Sequence, residues 1–134
     1  MKNLMSTKWS NNLVHFSLLA LRVGLGLMLL THGVTKFMHF NTMADTFSDP
    51  LHIGHQWSLV LVIFSEIGCA ALLVLGLLSR PAAFVIFVQM SIILILIHNH
   101  DPFSRQELAW HYWTGTLVIL LCGPGKISVD GLIR

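Results

Sequence analysis

Residues 13–37, LVHFSLLALRVGLGLMLLTHGVTKF, form a run long and apolar enough to cross a bilayer, yet they carry Arg22 near the middle. Insertion scales put an arginine at that depth at roughly +2.5 to +3.5 kcal/mol. The rest of the chain must therefore supply partners for it. The run closes on His32, Gly33 and Lys36, so its far end is polar as well.

Composition places the chain in the membrane class. Only 10% of the 134 residues are charged and 54% are hydrophobic, whereas soluble domains carry roughly 25% charged residues. The mean hydropathy of +0.73 agrees. A net charge of +2, scattered along the chain, speaks against a nucleic-acid partner. Cys69 and Cys122 form no C-x-x-C pair, and both read as buried free thiols used as small hydrophobes. Lys2 and Lys8 before an apolar run imitate a signal peptide. The run is too long for one, contains Arg22 and lacks a small-residue cleavage site, so it reads as a retained transmembrane helix.

The expected architecture is an all-α integral membrane protein, an antiparallel four-transmembrane-helix bundle forming one domain over residues 1–134. The spans fall at about 13–35, 57–78, 81–99 and 106–122. Ser10, Asn11 and Asn12 are candidate caps for the first helix. Residues 37–56 are too polar to span, and their aromatic and aliphatic members suggest a short helix at the interface or folded over the bundle. Ser79-Arg80-Pro81 reads as a tight turn, with Pro81 opening the third helix. Lys2, Lys8, Arg80, Lys126 and Arg134 fall on the side of the N-terminus, against Lys36 and Arg105 opposite. The positive-inside rule then puts both termini in the cytoplasm.

Counting helical rise from the assumed outer ends at Gly33 and Trp57 puts Arg22 and Glu66 about 16 and 13 Å deep. An Arg22–Glu66 ion pair inside the bundle is the expectation, since a guanidinium can hold a carboxylate bidentately. Such a pair either locks helix register or lies at the centre of a polar pocket, and both readings stay open. Gln89 is placed to join the network. His32, Lys36, His98 and His111 form a candidate ligand-binding rim at the outer surface, with His100 nearby, histidine being suited to proton exchange and metal ligation. No H-x-x-x-H or H-E-x-x-H spacing is present, so no metal is assigned. His15, His39, His52 and His55 read as surface residues. Trp57, Trp110, Tyr112 and Trp113 gather at the outer surface, where anchoring is the commonest use. A wall for a flat quinone-like ring is the minority reading.

These residues resemble the DoxX family of small bacterial membrane proteins from about residue 21 to residue 130. The first helix is similar to the family pattern R-x-x-x-G-x-x-x-x-x-H-G-x-x-K through Arg22, Gly26, His32, Gly33 and Lys36. The second is similar to its glutamate-bearing helix, with Glu66, Gly68 and Gly76 before Arg80. The end resembles G-P-G-x-x-S-x-D, here Gly123, Pro124, Gly125, Ser128 and Asp130. Lys126 and Val129 depart mildly from the arginine and leucine common in the family. The resemblance implies a four-helix protein of the bacterial inner membrane. In some relatives it implies thiosulfate oxidation with quinone as acceptor, or redox complexes with cytoplasmic enzymes.

The first functional expectation is a redox-associated subunit that binds quinone or a small sulfur compound, with Glu66 as proton carrier and Arg22 as its electrostatic partner. No C-x-x-C-H, iron–sulfur or nucleotide-binding motif occurs, so electrons would pass through a diffusible carrier or a cytoplasmic or membrane redox protein. The second is a non-enzymatic scaffold or assembly partner whose charged core only locks the fold. The third, an anion transporter, suffers from four helices without a repeat unless the chain forms a homo-oligomer. Below the membrane, Ser128 and Asp130 can bond backbone amides and anchor the tail under the bundle.

Overall fold

The computed structural model describes residues 6–133. Lys2 and Arg134, two of the charges counted for orientation, lie outside the described residues. In chain order the helices are α1 (Asn11–Met38), α2 (Phe40–Met43), α3 (His55–Leu75), α4 (Ser79–Ile97), α5 (Phe103–Cys122) and α6 (Val129–Ile133). Among the described residues every regular element is helical. α1, α3 and α4 are each long and apolar enough to cross a membrane. α5 is less apolar, but its 20 residues reach about 30 Å. The chain is an all-α membrane bundle.

The distribution of polarity fits that solvent. Arg22, Glu66, Gln89 and Thr116 are buried, while Leu27, Phe64, Phe84 and Leu121 are more than half exposed. In lipid, apolar side chains have no reason to turn inward, so the interior is where polar groups find partners. The core gathers Leu29, Leu73, Ile86, Met90, Tyr112 and Ile119. α5 packs chiefly on α4, α4 on α3, and α3 on α1, with a lighter α1–α5 contact closing the ring.

Glycines set the α1–α3 register. A Cβ on Gly26 would stand 2.9 Å from the Ala70 carbonyl oxygen, and one on Gly33 2.8 Å from Glu66 Cβ. No side chain fits at either contact, so the two helices touch along this stripe.

Several boundaries differ from the sequence reading. α1 continues past Gly33 to Met38. Ser10 precedes it but makes no side-chain cap. α5 starts three residues before Gln106, because Pro102 in extended conformation ends the preceding loop. Gln106 Nε2 then donates to the His98 and Asp101 carbonyls, both at 2.9 Å. The α3–α4 turn is Gly76–Leu77–Leu78, and Ser79 already opens α4. Gly76 sits at φ +73°, the left-handed ending that lets Leu77 N–H reach the Leu72 carbonyl at 3.0 Å. Cys69 is buried, but Cys122 is exposed, which corrects the expectation for the second thiol. It stands at the last turn of α5, on the side away from the core.

Candidate functional site

The intramembrane charges separate into two centres, and the expected Arg22–Glu66 pair does not form. Arg22 is 1% exposed. Its Nη1 donates to the Leu73 carbonyl at 2.6 Å and the Val74 carbonyl at 2.7 Å, and its Nη2 to the Ile127 carbonyl at 2.8 Å. Those first two carbonyls belong to the last turn of α3, where a helix lacks partners and carries partial negative charge. Arg22 therefore caps a helix end instead of a carboxylate. The reason lies in the register. Gly33, not Arg22, is level with Glu66, and eleven residues of helix put about 16 Å between those levels. Because α1 runs on to Met38, Gly33 does not mark its outer end.

The tail completes this knot, at the end of the bundle that holds the termini. Asp130 takes the Leu78 and Ser79 amides, each at 2.9 Å, on its two carboxylate oxygens. Its own amide donates to the Gly76 carbonyl at 2.8 Å. Ser128 Oγ donates to the Gly125 carbonyl at 2.6 Å. The α3–α4 turn is thus held on its carbonyl side by Arg22 and on its amide side by Asp130, and the tail is anchored under the bundle. A Cβ on Gly76 would stand 2.6 Å from Arg22 Nη1, so the guanidinium reaches its carbonyls only past a glycine.

The second centre, farther from the end that holds the termini, is built on Glu66. Lys36 Nζ lies 2.6 Å from Glu66 Oε2, with side chains 22% and 5% exposed. Gln89 Nε2 donates to Glu66 Oε1 at 3.1 Å. Three helices, α1, α3 and α4, meet in this cluster. Over Phe64–Cys69 the hydrogen bonding of α3 slips to the i→i+5 pattern, Ala70 N–H reaching the Ser65 carbonyl. Such wide turns are frequent at functional sites. Here the slip turns Ser65 and Glu66 together into the protein. Gln89 Oε1, Ser65 Oγ and Tyr112 Oη are buried with no hydrogen-bond partner among the described residues, an open set of polar atoms on α3, α4 and α5.

A cavity of about 330 Å³ adjoins the cluster between α3 and α4. Lys36, Glu66, Gln89 and Ser65 form its polar end, and Phe64, Val85, Val88 and Ile92 its apolar walls. Phe64 is 58% and Val88 38% exposed, so the walls continue into the lipid-facing surface. The loop carrying Phe47, Pro50, Leu51 and Ile53 covers the outer side. The sequence reading sets this loop at the interface or over the bundle, from its aromatic and aliphatic residues, without assigning it to a site.

Asp49 ties that loop to α3. It accepts from Ile53 N–H at 3.0 Å, Gly54 N–H at 2.8 Å and Ser58 Oγ at 2.8 Å. Desolvation alone pushes its carboxyl upward. The bonds from Ser58, Gly54 and Ile53 and the charge of His55 together outweigh this, and the pKa falls below the ordinary carboxylate range. A depressed native pKa stabilises the loop above the unfolded value near 3.9 and loses that contribution as pH falls through the native one. The protection of the Ile53 and Gly54 amides, relative to their intrinsic exchange at each pH, should accordingly fall on acidification below about pH 4. Asp49→Asn should exchange fast already at neutral pH. Equal protection of both proteins at pH 7 would remove Asp49 from this role.

The rest of the expected rim disperses. His32 stacks edge-on to Tyr112 at 6.2 Å. His98 Nδ1 pairs with Asp101 at 2.6 Å. His111 Nδ1 bonds the Glu107 carbonyl of its own helix at 2.8 Å. None of the three lines the cavity beside Glu66. Among the described residues no three His, Cys, Asp or Glu side chains gather as a metal site. The aromatic wall is also elsewhere, since Trp113 donates to Ser91 Oγ at 3.0 Å and stacks on Phe87 and Trp110. His15, taken as a surface residue, accepts the Lys126 amide on Nδ1 at 3.3 Å.

Comparison with known proteins follows the same lines. The family model described as DoxX matches residues 17–99, which include Arg22, Lys36, Glu66 and Gln89. An uncharacterized protein of Haemophilus influenzae is 31% identical over 117 residues, covering 82% of this chain and 85% of its own length. No solved structure matches the chain.

Proposed function

The chain belongs to the DoxX family, and from that premise we propose that it is a redox-associated subunit of the bacterial inner membrane. It binds a quinone, or a small sulfur compound, in the cavity beside Glu66. The observation that carries this reading is the cavity itself. It is about 330 Å³ in volume, apolar along its walls, and closed at one end by a lysine, a carboxylate and an amide. That is within the range of small-molecule sites, which are mostly apolar with a few convergent polar groups. A lipid-soluble ring could enter between α3 and α4 without crossing water. Its carbonyl oxygen would accept from Lys36 Nζ or Gln89 Nε2, and Glu66 would take or return a proton. Reducing a bound quinone to quinol takes two electrons, which a partner redox protein would supply, and two protons, for which Glu66 would be a relay. Arg22 leaves the catalytic set, because its Nη1 and Nη2 are engaged by backbone carbonyls and only its buried Nε has no partner among the described residues.

Arg80 and Lys126 lie at one end of the bundle with Lys8, and Lys36 and Arg105 at the other. The positive-inside rule favours cytoplasmic termini, so the cavity would open on the outer leaflet. The inner knot favours a second reading. A charge whose Nη1 and Nη2 are both spent on fold-holding bonds is what a non-enzymatic scaffold or assembly partner would also contain.

Titration of purified protein in detergent with a short-chain quinone, and separately with thiosulfate, distinguishes the two. Saturable binding by calorimetry is expected for one of them. Val88→Trp, which fills the cavity mouth and leaves the charged cluster alone, should weaken it at least tenfold, a loss of about 1.4 kcal/mol. Absence of binding by either compound, with no quinol turnover when cytoplasmic extract is added, would leave the scaffold reading in place.

A further inference from the structure

The inner end of the bundle holds a second cavity, of about 820 Å³, between the α3–α4 turn, the end of α5 and the tail. Arg80, Lys126 and His15 line it. The side chains of Arg80 and Lys126 are exposed and make no hydrogen bond or ion pair among the described residues. Arg80 lies across Gly123, its Nη2 3.5 Å from where a Cβ would be. Gly123 has φ +80°, and that backbone conformation, not the Arg80 contact, is what calls for glycine there.

Ser79 also lines this cavity. It is fully buried, and its hydroxyl has no hydrogen-bond partner among the described residues. One acidic group, Asp130, is present. Both its oxygens accept backbone amides, and the Arg22 charge stands against it. The cavity therefore keeps an excess of positive charge and an unused hydroxyl. Its remaining wall is apolar, with Leu78, Pro81 and Ile133.

We propose that this inner cavity binds the phosphate of an anionic phospholipid headgroup. Arg80 and Lys126 meet the phosphate, Ser79 Oγ donates to one of its oxygens, and the apolar wall takes the glycerol and upper acyl chain. Basic pockets between transmembrane helices on the cytoplasmic side are where such headgroups bind. The cavity lies at the helix ends, the level at which lipid phosphates stand. This site is separate from the outer cavity and does not depend on what that cavity binds.

Native mass spectrometry of the delipidated full chain, with phosphatidylglycerol or phosphatidylethanolamine added, tests it. Retention of phosphatidylglycerol over phosphatidylethanolamine is expected, together with a higher thermal midpoint in phosphatidylglycerol micelles. The double variant Arg80→Gln, Lys126→Gln should lose the preference, with retention roughly thirtyfold weaker, because two basic side chains near a membrane surface are removed. Neither residue holds the fold, so its midpoint without added lipid should match the parent. Lys8→Gln, a cation outside the cavity, and the charge-keeping Arg80→Lys should both retain the lipid. Equal retention of the two lipids, or an unchanged preference in the double variant, overturns the proposal. A thermal shift from inorganic phosphate as large as that from the lipid overturns the lipid assignment.

Discussion

Arg22→Met should leave little folded protein. The change removes three charge-assisted hydrogen bonds inside a bundle where no water replaces them. Hydrogen bonds to charged groups contribute about 1.5–3 kcal/mol each. The Leu73 carbonyl keeps a second donor in Gly76 N–H, so the loss is less than three full bonds. A destabilisation of about 4 kcal/mol or more is expected, most of the margin of a typical small domain. Arg22→Lys should rescue little, because an ammonium cannot reach carbonyls on both α3 and the tail as a planar fork does. The thermal midpoint and the yield of monodisperse protein in detergent report the effect. A wild-type midpoint in Arg22→Met would mean that the knot does not hold the bundle.

The second large effect concerns Lys36 and Glu66. Lys36→Met strands a carboxylate that is 4% exposed and leaves it only Gln89. Breaking a buried pair from one side typically costs about 3–5 kcal/mol. Lys36 retains some exposure, so the lower part of that range applies. Adding Glu66→Leu should recover most of the loss, because two apolar groups replace two charges. This coupling separates the observed pairing from the one inferred by depth. Combining Glu66→Leu with Arg22→Met should give no recovery, only the sum of two losses, because sites about 16 Å apart with no shared partner add. A cycle in which Glu66 couples to Arg22 and not to Lys36 would refute the register described for α1 and α3.

These two experiments bear on how far the chain could be read in advance. That Arg22 and Glu66 each need a partner follows from their place in apolar runs and from the energy of charge in hydrocarbon. Who the partners are does not follow. Arg22 is satisfied by main-chain carbonyls, and every residue has one, so no side-chain pattern points to Leu73, Val74 or Ile127. Glu66 takes Lys36, which looks terminal if α1 stops near Gly33 and becomes interior once α1 continues to Met38. Gln89 was legible because an amide in mid-helix has few reasons to be there. The histidines were not, since His98 and His111 are occupied by Asp101 and the Glu107 carbonyl within their own segments.

The sequence by itself determined the solvent, the all-helical class and the burial of Arg22, Glu66 and Gln89. Each of these rests on composition and on the energy of moving a residue from water to lipid, which are properties of single side chains. The tertiary structure decided the pairing, the inner knot and both cavities. These depend on the sliding register between helices, set by the contacts of Gly26 with Ala70 and Gly33 with Glu66. They also depend on the slip in α3 at Phe64–Cys69, which turns Ser65 and Glu66 inward without any mark in the residue order.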